Sequence, residues 1–475
     1  MSGTLDLSAV RSSKAVRYGS MPLFALAMTQ ALQQGEQVSL SQALEGIRLE
    51  FGTSDFVLGL LPLAMAFSGI LATIPLGTLT DRRRRTTLVA GSMVLWSAAM
   101  GVAGLSVSLL MLFVLRMGLG GVEASGVASI SLLADYYPVD KRAQKIGLFS
   151  GGSLLGVLIA FPVGGVLVDR FGWRSVFFLW VPLGLFVAWL IARQPEPRRG
   201  DQDHDFGIDA GVLGGGAATE AGRSLPEPRR IGTMDYASAN LRQVFGEVWR
   251  IRSLWYATAA LTAANLVTNA LQFWGIAYFT RVHDLSTAKA SALAGLLGFG
   301  SLLGILLGGL ICDRLMARGF INARAYVAAA GGLLGTVLLT PAWAIVDLRV
   351  TAPLFFFGGL CLTLPIPATE AILADVVVAE LRGRAVTIRS FARIVANAGP
   401  FAVGALATVL GDGTEGDGLR LGLTYFTPIF ALSTVAMLLC VRHYAHDLAF
   451  VCAESERLRA QAPVSSPPGP PGPPA

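Results

Sequence analysis

The sequence predicts an all-α polytopic membrane protein of twelve transmembrane helices, arranged as two pseudo-symmetric six-helix bundles. Three observations carry this. Apolar residues make up 53% of the 475 residues and charged residues only 14%, with mean hydropathy +0.60; a soluble domain carries about a quarter charged residues. Twelve apolar stretches are long enough to span a bilayer, which takes about 20 residues each. Short signatures in the first half also recur at matching places in the second.

The expected spans are 19–40, 56–76, 88–107, 109–132, 146–168, 175–192, 254–279, 288–308, 325–347, 353–374, 386–410 and 420–441. The chain thus divides into an arm (1–18), a first bundle (19–192), a polar central loop (193–253), a second bundle (254–441) and a tail (442–475) ending in Pro/Gly low complexity. Arg11, Lys14 and Arg17 precede an Ala25-Leu26-Ala27 that resembles a signal cleavage site. Too few apolar residues come before it for a signal core, so an uncleaved first helix is expected. Within the central loop, Tyr236 to Trp255 has helical character, with Leu241, Phe245, Val248 and Trp249 on one side. This stretch reads equally as an interfacial helix or an amphipathic connector.

Charge placement predicts orientation. With the N-terminus cytoplasmic, 28 basic residues fall inside, 7 outside, and Arg116 and Arg393 within spans. That asymmetry obeys the positive-inside rule and puts both termini in the cytoplasm of a cytoplasmic (inner) membrane. The basic excess is too small and scattered for nucleic-acid binding. Four cysteines without a CxxC pair, four histidines confined to loops and tail, and no phosphate-binding loop or nucleophile elbow leave no metal, cofactor or catalytic constellation.

Two signatures occur twice. Gly77, Asp81 and Arg82 follow span 2, and Gly309, Asp313 and Arg314 follow span 8. Asp135 and Arg142 follow span 4, and Asp375 and Arg382 follow span 10. The two glycines would allow close backbone approach, and the Asp and Arg could pair across the cytoplasmic seam. Two bundles related by an axis along the membrane normal explain the nearly constant offset.

Gly77-x-Leu79-x-Asp81-Arg82, with Arg85 behind it, resembles the loop signature of the major facilitator superfamily, whose six-plus-six plan fits roughly 18–441. The resemblance implies alternating access, with the loop acid helping to hold the outward-open state closed on the cytoplasmic side. Span 5 keeps part of that family's antiporter motif in Gly147, Gly156, Gly164 and Gly165, with Ala160-Phe161 where the motif has Gly-Pro. Within the superfamily, the first half is most similar to spinster-like lipid transporters and their bacterial relatives. Ser54-Asp55, Gly59-Leu60-Leu61, Pro75-x-Gly77, Arg116, Gly118, Gly120, Glu123-Ala124 and Gly172-Trp173-Arg174 carry that likeness. The family's Asp-Arg pair in span 1 falls on Glu36-Gln37, which keeps the acid and not its basic partner.

Ionisable groups at membrane depth are costly unless paired, hydrated or functional. Arg116 and Glu123 lie seven apart on one face of span 4, where they form either a static salt bridge or, with Glu36, a proton-coupling set. Span 1 carries an amide stripe, Gln30, Gln33, Gln34 and Gln37, followed by Ser41; span 7 repeats it with Thr258, Thr262, Asn265, Asn269 and Gln272. The stripes are read as cavity walls, the alternative being hydrogen bonds between helices. Arg393 and Asn397 on span 11 are a further candidate contact. Phe273 and Trp274 would anchor at the interface or stack on a ligand, and Pro162, Pro365 and Pro367 would bend or open their helices.

The expectation is a secondary active transporter, coupled to protons with no other cofactor, for an amphipathic lipid-like or small organic solute. It would be monomeric and in contact with membrane lipids. A multidrug exporter, a sugar or organic-anion transporter, and a non-transporting sensor or receptor are the rival readings.

Overall fold

A computed structural model describes residues 18–123, 126–137, 139–197, 226, 228, 241–378, 381, 385, 392–411 and 416–461. The first bundle comprises α1 (Met21–Phe51), α2 (Asp55–Arg82), α3 (Arg85–Gly104), α4 (Leu109–Glu123), α5 (Gly126–Tyr136), α6 (Val139–Phe171) and α7 (Ser175–Ala192). The second comprises α9 (Arg252–Val282), α10 (Thr287–Ala317), α11 (Ala323–Ala344), α12 (Leu348–Thr363), α13 (Pro365–Asp375), α14 (Ala392–Asn397), α15 (Gly399–Leu410), α16 (Asp417–Phe426) and α17 (Ala431–Gln461). A short α8 (Leu241–Arg250) leads into the second bundle. The pairs α4/α5, α12/α13 and α14/α15 each occupy one expected span, and α16, a 3-10 turn at Thr427–Phe430 and α17 occupy the last. Proline has no backbone N–H, and span 10 accordingly divides at Leu364, ahead of Pro365; α6 runs through Pro162.

Several boundaries differ from the sequence expectation. Gly77–Arg82 and Gly309–Arg314, expected in loops, are the last turns of α2 and near the end of α10. No helix breaker intervenes there, and α10 stops only at Gly319, whose φ of 95° suits glycine. Gly52, at φ 58°, likewise ends α1 well beyond the expected span. The tail expected from 442 starts as helix: α17 continues to Gln461, and its Asp447 accepts from Ser253 N at 3.1 Å and Ser253 Oγ at 2.6 Å. In α8, Val244 and Val248 are buried, while Phe245 and Trp249 are exposed and stack on each other at 5.7 Å.

Among the described residues, eight helical stretches satisfy ordinary length and apolarity requirements for crossing a membrane. The 31-residue α1 and α9, which carry the amide stripes, do not. Both are wrapped by neighbours instead: α1 packs on α6 and α7, and α9 on α13, α14, α15 and α17. Glycines permit the closest approaches. A Cβ on Gly156 of α6 would strike the Ala31 carbonyl of α1, and one on Gly304 of α10 would strike the Leu360 carbonyl of α12.

The bundles meet through α1 with α9, α2 with α15, and α6 with α10. Gly59 lies against the Pro400–Phe401 backbone and Gly404 against the Asp55 carbonyl. At the same end, Tyr278, Trp343, Phe355 and Phe279 form an edge-to-face aromatic cluster, with Tyr278 Oη donating to the Trp343 carbonyl at 2.9 Å. This cluster braces the C-terminal end of α9.

Gly156→Ala should lower the melting temperature in detergent, since overpacking costs about 1–3 kcal/mol. Gly151→Ala, on the same helix with open space beside it, should leave it unchanged or raised.

Candidate functional site

Glu36 and Arg116 form an ion pair between α1 and α4, with Glu36 fully buried and Arg116 1% exposed. Their surroundings fix the acid in place. Gly35 lets the Trp180 ring of α7 lie against the α1 backbone, and Trp180 Nε1 donates to Ser39 Oγ at 2.9 Å. The Arg116 guanidinium has Phe177 at 6.0 Å and Met65 Sδ at 3.9 Å. Apart from the ion pair, both Glu36 oxygens and the Arg116 Nε and Nη2 are buried without a hydrogen-bond partner.

This pairing supplies from span 4 the basic partner that span 1 lacks beside Glu36. In a low-dielectric interior a guanidinium takes the carboxylate within reach of its long side chain, whether or not it shares its helix. Glu123 closes α4 seven residues beyond Arg116. For Asp81, Glu123, Arg142 and Arg393 the description extends to a helical backbone only, and Arg382 lies outside the described residues.

Along α1, Gln30, Gln33 and Gln34 are half-buried and Gln37 is exposed; along α9, Asn265 and Asn269 are half-buried and Gln272 is exposed. One turn beyond Gln37, Ser41 Oγ donates across the bundles to the carbonyls of Gln272 (3.0 Å) and Phe273 (2.7 Å). Exposed Gln37 thus lies one turn from a contact that joins the two bundles. Asn269 Nδ2 reaches the Ala396 carbonyl at 3.2 Å and Asn397 Oδ1 at 3.4 Å, which joins two predicted path residues. Trp274 takes neither expected role: it is fully buried and donates to the Pro400 carbonyl at 2.8 Å.

The contact between the bundles includes residues the sequence reading did not single out. Gln42 Nε2 bonds the Ala160 and Phe161 carbonyls, each at 3.0 Å, and Ser291 Oγ of the other bundle at 3.1 Å. Arg281, at the end of α9, joins Glu45 and Asp55 of the first bundle; its Nη1 contacts the Asp55 oxygens at 2.9 and 2.7 Å. Asp169 of α6 accepts from the backbone N–H groups of Thr287 (2.8 Å) and Ala288 (3.0 Å), the first turn of α10. Arg281 reads as an ordinary outer-loop base in the sequence, and Asp169 carries no local signature.

At the opposite end, among the described residues, Arg85 and Arg324 pair within their own halves of the chain. Arg85 pairs with Asp135 and with Glu196 (3.0 Å), and Thr86 donates to Glu196 from N at 2.8 Å and from Oγ at 2.7 Å. Burial opposes ionisation of Glu196, but hydrogen bonds from Thr86 and Arg85 outweigh it and hold the carboxyl below its usual range. In the second bundle Arg324 pairs with Asp375, which also accepts from Tyr444 Oη at 2.6 Å. The repeated Asp135 and Asp375 are thus each clamped by an arginine opening α3 or α11. Arg82, Asp313 and Arg314 are exposed, and Gly309 has open space beside it where close approach was expected.

The geometry is that of two bundles in contact through Ser41, Gln42, Arg281 and Asp169 at one end, with the amide stripes of α1 and α9 continuing away from that contact and a buried charge pair on α1 and α4. A model of the Major Facilitator Superfamily matches residues 18–358. The chain belongs to the Major Facilitator Superfamily. A superfamily protein of this kind is a transporter, not an enzyme. A "probable galactarate/D-glucarate transporter" of Bacillus subtilis is 24% identical over 352 residues, covering 71% of this chain and 74% of its own. A "probable sphingolipid transporter spinster homolog 1" of Arabidopsis thaliana is 26% identical over 335 residues, covering 67% and 65%. In fold, the chain is similar to a bacterial homologue of the human lysosomal transporter spinster, solved inward-facing and unoccupied. The TM-score is 0.72 at 20% identity, over 90% of this chain and 98% of that one.

Removing one member of the buried pair strands the other, at a cost of about 3–5 kcal/mol. Glu36→Gln and Arg116→Gln should each lower the melting temperature, and the double variant should lose clearly less than their sum; strictly additive losses would refute the pairing. A second expectation concerns pH. Glu50, at the end of α1, accepts from Arg174 and from Trp173 Nε1 at 2.8 Å, and these hydrogen bonds pull its carboxyl down to about 2. A depressed pKa places its stabilisation above the ordinary value of 4.5 and removes it as pH falls toward 2. Glu50→Gln should flatten that part of the melting-temperature profile in acid.

Proposed function

We propose that the protein is a monomeric, proton-coupled secondary transporter that moves an organic solute bearing an acidic group, by alternating access, across a cytoplasmic membrane. The observation that carries this reading is the fully buried Glu36–Arg116 pair on α1 and α4, next to the amide stripe that α1 itself carries. In this reading the Glu36 carboxyl carries the proton and the Arg116 guanidinium is the fixed charge. When Glu36 takes a proton, Arg116 is left without a counter-ion, and an acidic group on the solute can supply one. The loaded site stays electrically balanced while the bundles reorient. Loss of the proton on the far side returns Arg116 to Glu36 and expels the solute. Glu123, two turns along α4, is the second proton-carrying candidate.

The excess of basic residues at the Arg85 and Arg324 end supports a cytoplasmic location for that end and for both termini. The state described here is then open to the cytoplasm and closed outside. The aromatic face of α8, continuing into Trp255 at 4.9 Å from Trp249, suits the lipid headgroup region.

Relatives named for sugar diacids and for sphingolipids both support a solute with an acidic head, and they differ in whether an acyl chain follows. Proteoliposomes offered galactarate or a short-chain lysophospholipid, with and without a pH gradient, distinguish the two. Gradient-driven transport of one solute is expected, with Glu36→Gln, Glu123→Gln reducing the response to the gradient roughly tenfold or more. Undiminished gradient-driven transport in that double variant would sink the coupling assignment.

A further inference from the structure

We infer that Arg281 is the outer-gate residue of the transport cycle, plugging an acidic receptor formed by Glu45 and Asp55, and that Asp169 forms a second clasp on the other flank of the seam. The inference rests on the alternating-access reading above. Four features of the outer closure support it.

First, these charges bridge the bundles. Arg281 belongs to α9, whereas Glu45 and Asp55 flank the turn between α1 and α2. Any separation of the bundles at this end must break both pairs. Second, the contacts are largely removed from water without being deep: the Arg281 side chain is 5% exposed, Glu45 18% and Asp55 14%. Ion pairs at a mouth gain strength when the mouth shuts and rehydrate when it opens, which suits a reversible closure better than a permanent join.

Third, the receptor persists without its plug. Glu45 also holds Arg48 of its own helix, at 3.0 Å from Nε. Asp55 occupies the first turn of α2, where the helix dipole favours a negative charge. Arg281 in turn stands on the braced aromatic end of α9. Both halves of the gate therefore stay preset while apart.

Fourth, the second clasp is independent in position and chemistry. Asp169 of α6 caps the first turn of α10 through two backbone N–H groups, and a Cβ on the nearby Gly165 would meet the Ala288 backbone at 2.8 Å. One clasp lies on the α1–α2/α9 flank and the other on the α6/α10 flank. Two clasps on opposite flanks prevent a single hinge from prising the end apart, so the outer mouth opens only when both release.

The test uses spin labels on the purified full-length protein in nanodiscs, on a Cys452→Ser background. One pair, Leu49→Cys with Val346→Cys, reads the separation of the outer ends; a second, Arg83→Cys with Phe320→Cys, reads the inner ends. The parent protein should show two populations in which a wide outer mouth accompanies a narrow inner one. Arg281→Gln should raise the wide-outer population roughly tenfold relative to the narrow one. Glu45→Gln with Asp55→Asn should do the same without altering α9, and Asp169→Asn should shift it in the same direction. Exchanging the charges, Arg281→Glu with Asp55→Arg, should move the distribution back from that of Arg281→Glu alone toward the parent's. If the parent alternates but neither the Arg281 nor the Glu45/Asp55 variant shifts the populations, the gate assignment is overturned and the transport reading stands. If the parent shows no reciprocal change, alternating access itself fails, and the gate with it.

Discussion

A guanidinium buried among helices must always have a negative charge beside it, and Arg116 imposes that condition on this molecule. Its partner sits on a different helix, so α1 and α4 are held together by charge and not only by shape. The rest of the site follows from keeping Glu36 in place. Trp180 seats against Gly35, Ser39 anchors the indole, and α6 presses its glycines against the adjoining turns of α1. A pair held this firmly, with several of its polar atoms otherwise unpartnered, is poised to respond when one charge is neutralised.

The two ends of the molecule use the same residue types to opposite effect. At the end carrying Arg85 and Arg324, each arginine clamps a carboxylate of its own bundle, so the clamps stiffen the bundles individually. At the end carrying Arg281, the ion pairs run between bundles. Stiff bodies joined by breakable contacts at one end are what rigid-body rearrangement requires, because packed interiors switch between arrangements instead of deforming continuously.

Hydropathy, charge asymmetry and the duplicated Asp-Arg signatures made the twelve-span plan legible, since lipid leaves the backbone few options and the repeat records two equivalent halves. The polar stripes were legible as stripes because helical periodicity is local. Partnerships were not. Seven residues place Arg116 and Glu123 on one face, but nothing local in the sequence announces the counter-ion that Glu36 supplies from a helix far away in the chain. Arg281 looked like one basic residue among several outside, and only the approach of α1 and α2 gave it two acids. The expected loops at Gly77–Arg82 and Gly309–Arg314 failed for a simpler reason: charge ends a hydrophobic stretch without ending a helix.

The wrapping of α1 and α9 also constrains how the chain is made. A helix bearing five glutamines and three glutamates is a poor candidate to rest alone in lipid, where a single ionised group costs about 2.5–3.5 kcal/mol. Yet α1 emerges first, long before Arg116 and before the α6 surface that covers it. The first bundle must therefore be completed nearly to its end before its opening helix has a stable home.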